Sequence, residues 1–269
     1  MESEQIEKDI DNILNSKKYK PLNIPRDTIA ALFYENQSKT KAHKALVKLV
    51  RHKLHNIVAP YLGDPDYLTA QQDLTSAFQE QDNDKSIKML CSSILESHAS
   101  THERIPYLDT FYGEIFKVTG TPDTILDLAC GMNPFSFRWM GLPRSIRYHA
   151  YDLHDPRIQL INHYFKLEGL QPDAEWRDIL LYPPEIKADV AFFFKEAHRF
   201  EQRQHGCNRA FWQALNVDTL VVSLPAASLD GKRSLIQRQY RLISNTIAGL
   251  PWKMTDLIIG NEIIFVINK

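Results

Sequence analysis

Apolar residues in the first 105 positions recur every three or four residues, which is the period of an amphipathic helix. One series runs over residues 6–14 and another over residues 46–57. Prolines before, between and after these series divide the segment into several short helices. Asp27 and Thr28 have the chemistry of an N-cap for a helix over residues 30–34, and a further helix is expected over residues 85–95. The first part of the chain is therefore predicted to be helical.

After about residue 105 the pattern changes to short apolar runs separated by amphipathic segments, which is typical of alternating strands and helices. The predicted strands are Thr124–Leu128, Arg147–Tyr151, Glu175–Asp178, Asp189–Phe194, Thr219–Leu224, Lys253–Ile259 and Glu262–Ile267. Gly260 and Asn261 join the last two as a hairpin. Five strands joined by helices and closed by a hairpin is the order of a class I S-adenosylmethionine-dependent methyltransferase. We therefore expect an α/β, Rossmann-like domain with a seven-stranded sheet over residues 106–269, preceded by a helical domain over residues 1–105.

A turn of small residues ends the first predicted strand and marks a candidate ligand site. The sequence from Leu126 to Pro134 reads LDLACGMNP, so accessible backbone follows a buried strand. Asp152 follows the next predicted strand, where a carboxylate binds the ribose hydroxyls of a nucleoside cofactor. The turn is not the G-x-G-x-x-G of dinucleotide sites, which favours S-adenosylmethionine as the cofactor. The alternative is the ordinary strand-turn-helix of any parallel α/β protein.

Charge is unevenly distributed, although the 269-residue chain has a net charge of only −1. Between residues 15 and 60, ten lysines and arginines stand against two acidic residues. Such a segment attracts polyanions and predicts an RNA or DNA surface, with a solvated helix face as the alternative. The chain has no long apolar run and no Cys/His cluster, so we expect a cytoplasmic, metal-free monomer.

Four segments of the chain resemble the aminoglycoside-resistance methyltransferases of 16S rRNA, in the branch that methylates N7 of guanine 1405. They are Ser16-Lys17-Lys18-Tyr19, His98-Ala99-Ser100-Thr101-His102-Glu103-Arg104, Leu126 to Pro134, and Ile259-Gly260-Asn261-Glu262. The resemblance spans nearly the whole chain and is more specific than a generic cofactor-binding fold. It implies that the enzyme acts on 16S rRNA within the 30S subunit and confers aminoglycoside resistance.

The resemblance also implies roles for individual residues. Arg104 holds the methionine carboxylate of the cofactor, Asp152 the ribose, and Asp178 with the backbone of Ile179 the adenine. The full set implied to bind the cofactor is Tyr61, His98, Ala99, Ser100, Arg104, Ala129, Gly131, Asp152, Asp178, Ile179, Phe194 and Lys195. The residues implied to bind RNA are Lys17, Lys18, Lys20, Lys44, Lys48, Arg51, Lys232, Arg233 and Arg238. No catalytic base is expected, because guanine N7 carries a free lone pair at neutral pH.

Two segments depart from the family pattern, and both are expected near the target base. Ala197-His198 stands where the family has Leu-Pro, and Ala227 stands where it has a basic residue. Three functions therefore remain open. The first is methylation of guanine N7 in the decoding site, the second is methylation of a different nucleotide, and the third is ribosome binding with little catalysis. A small-molecule methyltransferase would leave the basic segment unexplained.

Overall fold

One sheet of seven strands organises the chain, for which a computed structural model describes residues 3–40, 42–58, 63–228 and 233–269. The strands are β1 (Thr124–Leu128), β2 (Arg147–Asp152), β3 (Ala174–Trp176), β4 (Ala188–Phe194), β5 (Val217–Pro225), β6 (Lys253–Ile259) and β7 (Glu262–Asn268). Their order across the sheet is β3-β2-β1-β4-β5-β7-β6. The first five are parallel, and β7 lies antiparallel between β5 and β6. The predicted sheet and closing hairpin are confirmed.

Helices precede the sheet and cover its faces. They are α1 (Ser3–Leu14), α2 (Arg26–Asn36), α3 (His43–Val58), α4 (Tyr67–Gln79), α5 (Asp84–Ser97), α6 (Ala99–His102), α7 (Leu108–Thr119), α8 (Phe137–Met140), α9 (Asp155–Glu168), α10 (Ala197–Arg203), α11 (Cys207–Ala214) and α12 (Ile236–Ile247). The expected helix over residues 85–95 is α5, and Asn83 caps it by accepting a hydrogen bond from the Ser86 backbone N–H.

Two local predictions were wrong. The third strand ends at Trp176 rather than at Asp178, because Asp178 turns the chain by accepting a hydrogen bond from the Leu180 N–H. Helix α2 begins at Arg26 with Pro25 in the N-cap position, so Asp27 and Thr28 lie in its first turn. Their side chains bond residues of the sheet domain instead of capping the helix.

Three apolar clusters form the core. Residues from α1, α2 and α3 pack around one another. The helices α4, α5, α7 and α9 cover one face of the sheet, and α10, α11 and α12 cover the other. Helices α4 and α5 thus share a core with the sheet, although they precede residue 105. The domain division between residues 105 and 106 stays a prediction.

The strand order reverses between β1 and β4, and parallel sheets bind ligands at the carboxyl ends of the strands at such a point. Residues there have unusual backbone conformations. Ala129 follows β1 with φ +52°, and Lys195 follows β4 with φ +61°. Left-handed backbone costs a residue with a Cβ about 1–2 kcal/mol, so the surrounding structure must hold both turns. Among the described residues, no helix is long and apolar enough to cross a membrane.

The hairpin turn at Gly260 yields a prediction about stability. Gly260 has φ +56°, and a Cβ there would overlap the ring of Tyr107. Gly249 has φ +72°, and nothing lies within 4 Å of a Cβ there. We expect Gly249→Ala to lower the free energy of unfolding by about 1 kcal/mol from backbone strain, and Gly260→Ala by about 2 kcal/mol or more, because the ring must also move. Urea unfolding of both variants measures this, and equal losses would contradict the contact with Tyr107.

Candidate functional site

Two adjoining cavities open at the carboxyl ends of β1 and β4. The first cavity is lined by Ala129, Asp152, Asp178 and Ile179 and by one face of α3. The second cavity is lined by residues of the segments 98–103, 195–202, 225–228 and 235–239. Their place at the point where the strand order reverses makes both cavities candidates for ligand binding.

Asp152 lies at the wall of the first cavity with its carboxylate held from several sides. It accepts hydrogen bonds from the backbone N–H of Gly131 at 2.9 Å and of His154 at 3.0 Å. Arg157, which is fully buried, donates to both oxygens at 3.0 and 3.1 Å and also pairs with Asp64. Although burial opposes ionisation, the Arg157 guanidinium keeps the pKa of Asp152 below its usual value. The ribose-binding acid of the prediction is therefore ionised and fixed.

Asp178 joins three parts of the molecule at the other side of the first cavity. Arg203 pairs with it at 2.9 and 2.6 Å through two nitrogens. The hydroxyl of Thr28, from α2, donates to the same carboxylate at 2.8 Å. The Leu180 N–H is a further donor. An adenine amino group would therefore share this carboxylate with groups that already bind it.

The turn after β1 brings the backbone close to a buried histidine. Gly131 has φ +53°, and a Cβ there would lie 3.2 Å from the ring of His98. The His98 ring is itself hydrogen-bonded to Ser100 at 2.8 Å. Burial lowers the pKa of His98 to about 4, so the ring is neutral at pH 7. No larger residue fits at position 131 without displacing this ring.

Arg104 lies beneath the site rather than at its surface. Its guanidinium stands 4.2 Å from the Phe111 ring centre and 4.5 Å from that of Phe194. It donates to both carboxylate oxygens of Glu262 at 3.1 and 3.0 Å, and to the side-chain oxygen of Asn133 at 2.6 Å. The Tyr112 hydroxyl is a further hydrogen-bond partner of this guanidinium.

Lys195 links Glu262, the ion-pair partner of Arg104, to the second cavity. Its ammonium group lies 2.7 Å from Glu103, 2.9 Å from the Ser100 carbonyl oxygen and 3.3 Å from Glu262. Positive and negative groups thus alternate from Arg104 through Glu262 and Lys195 to Glu103. The predicted cofactor residues Ala99, Ser100 and Lys195 all line the second cavity.

The predicted RNA-binding residues lie on exposed surface where the structure describes them. This holds for Lys17, Lys18, Lys20, Lys44, Lys48, Arg51, Arg233 and Arg238. Helix α3 carries Lys44, Lys48 and Arg51 on its outer face, whereas its Lys53, Asn56 and Ile57 line the first cavity. One helix therefore contributes to both the basic surface and the first cavity. Tyr61 and Lys232 lie outside the described residues.

Sequence reasoning missed several groups that complete the site. Arg157 and Arg203 hold the two predicted acids, and Glu262 holds Arg104. The role of Glu262 could have been predicted from the sequence, because an acid at the start of the apolar run of β7 needs a buried cation nearby. The roles of Arg157 and Arg203 could not, because their partners are set by the fold.

Comparison with known proteins places the chain among ribosomal RNA methyltransferases. The family model for ribosomal RNA methyltransferase (FmrO) matches residues 15–266. The 16S rRNA (guanine(1405)-N(7))-methyltransferase of Serratia marcescens is 31% identical over 261 residues, which cover 96% of each chain. The protein of the same description from Frankia casuarinae is 31% identical over 228 residues, which cover 83% of this chain and 80% of that one.

Two solved structures share the fold over the full chain. The 16S rRNA methylase RmtB matches with a TM-score of 0.78 and 27% identity, covering 98% of both chains. The 16S rRNA methyltransferase RmtF, in complex with S-adenosyl-L-homocysteine, matches with a TM-score of 0.80 and 23% identity, covering 100% of both. This agreement confirms the predicted fold class.

Asp127, buried beneath the turn after β1, yields a prediction about pH. It accepts hydrogen bonds from Asn133 at 2.9 Å and from the Tyr148 hydroxyl at 2.7 Å, and burial raises its pKa to about 7. A raised folded-state pKa stabilises the protein at low pH, and this contribution is lost as pH rises through about 7. The unfolding free energy of the wild type should therefore fall relative to Asp127→Asn between about pH 4 and pH 7.5, by on the order of 4 kcal/mol at most. Urea unfolding across this range measures the difference, and a flat difference would contradict the raised pKa.

Proposed function

The chain belongs to the ribosomal RNA methyltransferase (FmrO) family, and on this premise we propose that it methylates N7 of guanine 1405 in 16S rRNA with S-adenosylmethionine as methyl donor. The observation that carries the proposal is the pair of adjoining cavities at the point where the strand order reverses. One has the acids and the small-residue turn at Ala129 that a nucleoside cofactor needs, and the other is bordered by cations suited to RNA. The family resemblance inferred from the sequence motifs is confirmed.

The residues around the first cavity fit S-adenosylmethionine. Ala129 lines this cavity at the turn after β1, and Asp152 presents an ionised carboxylate for the ribose hydroxyls. Asp178 and the backbone of Ile179 suit the adenine, with Arg203 and Thr28 sharing the acid. Arg104 would hold the methionine carboxylate through a charge-assisted pair, and Glu262 fixes the plane of its guanidinium.

Methyl transfer to guanine N7 requires the protein mainly to position the two reactants. The bound donor supplies an electrophilic methyl group on a sulfonium. The protein must hold guanine N7 in line with that group, which lowers the barrier by pre-arranging the reactants. The target base must leave its stack to reach the site, and the second cavity supplies space for it. His98 and His198 have pKa values lowered to about 4 by burial, so neither competes for the N7 lone pair as an acid at pH 7.

Docking on the 30S subunit is assigned to the basic surface of residues 17–51. Lysine and arginine side chains bind phosphates without reading sequence, so this surface orients the enzyme while the second cavity selects the base. N7-methylation places a positive charge on guanine 1405, which repels cationic aminoglycosides and confers resistance. The departures at His198 and Ala227 both line the second cavity, so a shifted target nucleotide is the second candidate function.

The proposed function predicts methyl transfer from labelled S-adenosylmethionine to purified 30S subunits. We expect label at N7 of guanine 1405, mapped by reverse-transcription stops after cleavage at the methylated base. Naked 16S rRNA, run alongside, shows whether the assembled subunit is needed. Label at another nucleotide would favour the shifted target, and an unlabelled subunit that still binds the protein would favour a ribosome-binding protein without catalysis.

Substitutions at Asp152 test cofactor binding separately from docking on the 30S subunit. Asp152→Ala should abolish methyl transfer because the ribose loses its acceptor, while 30S binding, measured without cofactor, stays unchanged. Asp152→Asn, which keeps the side-chain size beside Arg157, should also lose cofactor affinity, by about 10-fold or more. Isothermal titration with the cofactor and filter binding to 30S subunits measure the two effects. Asp173→Ala, which removes a half-exposed acid beside His149, is the matched control and should keep full activity.

The basic surface predicts a salt-dependent contribution to docking. Lys44→Glu/Lys48→Glu should weaken 30S binding by about 10-fold or more and reduce the dependence of affinity on salt, because fewer counterions are released. Lys166→Glu/Lys187→Glu, which reverses two exposed lysines outside this surface, is the control of equal charge. Affinity measured over a series of salt concentrations gives both values. Equal losses in the two double variants would show that net charge, rather than this surface, sets the affinity.

A further inference from the structure

The two cavities adjoin along one wall, because Glu196, Arg199 and Gln202 line both of them. This shared wall marks the junction between the site assigned to the methyl donor and the site assigned to the target base. Guanine N7 must point toward the junction during transfer, because N7 and the methyl carbon form the new bond. The opposite end of the purine then faces residues that line the second cavity alone.

Gln239 is a buried polar residue that lines the second cavity and not the first. The cavity is lined by Leu235, Arg238 and Gln239 at the start of α12, and their spacing of three and four residues places them on one face of the helix. Arg238 is exposed, whereas Gln239 is only 3% exposed. The Gln239 amide therefore lies within the wall of the cavity, beneath the charged surface.

One hydrogen bond fixes the orientation of the Gln239 amide. Its nitrogen Nε2 donates to the carbonyl oxygen of Pro225 at 3.2 Å. Because a carbonyl oxygen only accepts, the amide nitrogen must occupy this side and Oε1 must point away from it. Oε1 is buried and has no hydrogen-bond partner among the described residues. Buried acceptors are nearly always bonded in folded proteins, since an unbonded one costs free energy, so we expect a ligand of the second cavity to supply the donor.

Other polar side chains that line the second cavity alone do not make the same demand. Glu103 is paired with Lys195 at 2.7 Å. The nitrogen Nδ1 of His198 is buried and also has no hydrogen-bond partner in the described part of the chain. An imidazole nitrogen, however, is a donor in one tautomer and an acceptor in the other, so it sets no requirement on a ligand. The amide oxygen of Gln239 is an acceptor in every state and requires a donor.

Guanine carries a donor at the end of the purine that faces away from N7. Its N2 amino group is the donor farthest from N7, whereas O6 lies on the N7 side and is an acceptor. Adenine has only a C–H group at the corresponding carbon and offers no donor there. Hypoxanthine, the base of inosine, keeps N7, O6 and N1–H and lacks only the N2 amino group. An acceptor opposite N2 therefore distinguishes guanine from both bases.

Resting on the proposed function, we propose that Gln239 selects guanine as the target base by accepting a hydrogen bond from its N2 amino group through Oε1. The bond forms when the base enters the second cavity with N7 toward the junction, and it holds the far end of the purine while the methyl group is transferred. The same bond satisfies the buried acceptor. Arg238, on the exposed side of the same helical turn, neutralises a phosphate that flanks the base.

The test is single-turnover methyl transfer to 30S subunits reconstituted with 16S rRNA that carries guanine or inosine at the target position. Wild type should methylate guanine about 10-fold or more faster than inosine, because inosine leaves Oε1 without its donor. Gln239→Met keeps the length of the side chain and removes the acceptor. In this variant the ratio of the guanine rate to the inosine rate should fall by about 10-fold. Differences between the two bases in N7 reactivity or in unpairing are the same for every enzyme and cancel, and any loss of folded protein cancels within one preparation.

Gln237→Met is the matched control because it makes the same substitution two residues earlier on the same helix. Gln237 is exposed and lines neither cavity, so its variant should keep the wild-type ratio. Cofactor affinity should stay within about two-fold of wild type in both variants, because neither residue lines the first cavity. Equal ratios in wild type and Gln239→Met, or an equal fall in the control, would overturn the inference. A wild type that labels no guanine would overturn the proposed function itself, and the inference with it.

Discussion

The buried pair of Arg104 and Glu262 is the interaction on which the arrangement of the site depends. It joins the segment after α6 to the first residue of β7, and its other contacts reach Asn133 after β1 and Phe194 at the end of β4. Removing one partner from such a pair leaves a buried charge without its counter-ion and lowers the free energy of unfolding by about 3–5 kcal/mol. The pair therefore fixes four segments that are far apart in sequence, and the ammonium group of Lys195, at one of the two strained turns, lies 3.3 Å from Glu262.

Much of the fold follows from patterns that are local in sequence. The strands β1 and β4 are mostly apolar because helices cover both faces of the sheet, and the hairpin is marked by Gly260-Asn261 between two β-branched runs. The prediction for β3 was too long because this strand lies at the sheet edge and Asp178 ends it. The cap predicted at Asp27 and Thr28 was wrong because long-range bonds to the sheet domain outweighed local capping.

The candidate site was only partly predictable for a related reason. Asp152 and Gly131 occupy strand ends whose position the sequence pattern determines. The partners that orient the acids lie elsewhere in the chain, and Thr28 reaches Asp178 across 150 positions. The roles proposed for Arg104 and for the lysines of the basic surface came from family resemblance, since a buried arginine and an exposed one look alike in sequence. The departures at His198 and Ala227 were visible in sequence, but only the fold brings both to the second cavity.

Helix α3 connects the basic surface and the first cavity through a single element. Its outer face carries Lys44, Lys48 and Arg51, and its inner face closes the first cavity with Lys53, Asn56 and Ile57. A shift of this helix on contact with RNA would change the shape of the cofactor cavity. Thermodynamic linkage makes such an effect reciprocal, so the loaded enzyme and the empty enzyme would differ in affinity for the ribosome by the same factor. The affinity of the enzyme for the ribosome would then depend on the concentration of the methyl donor.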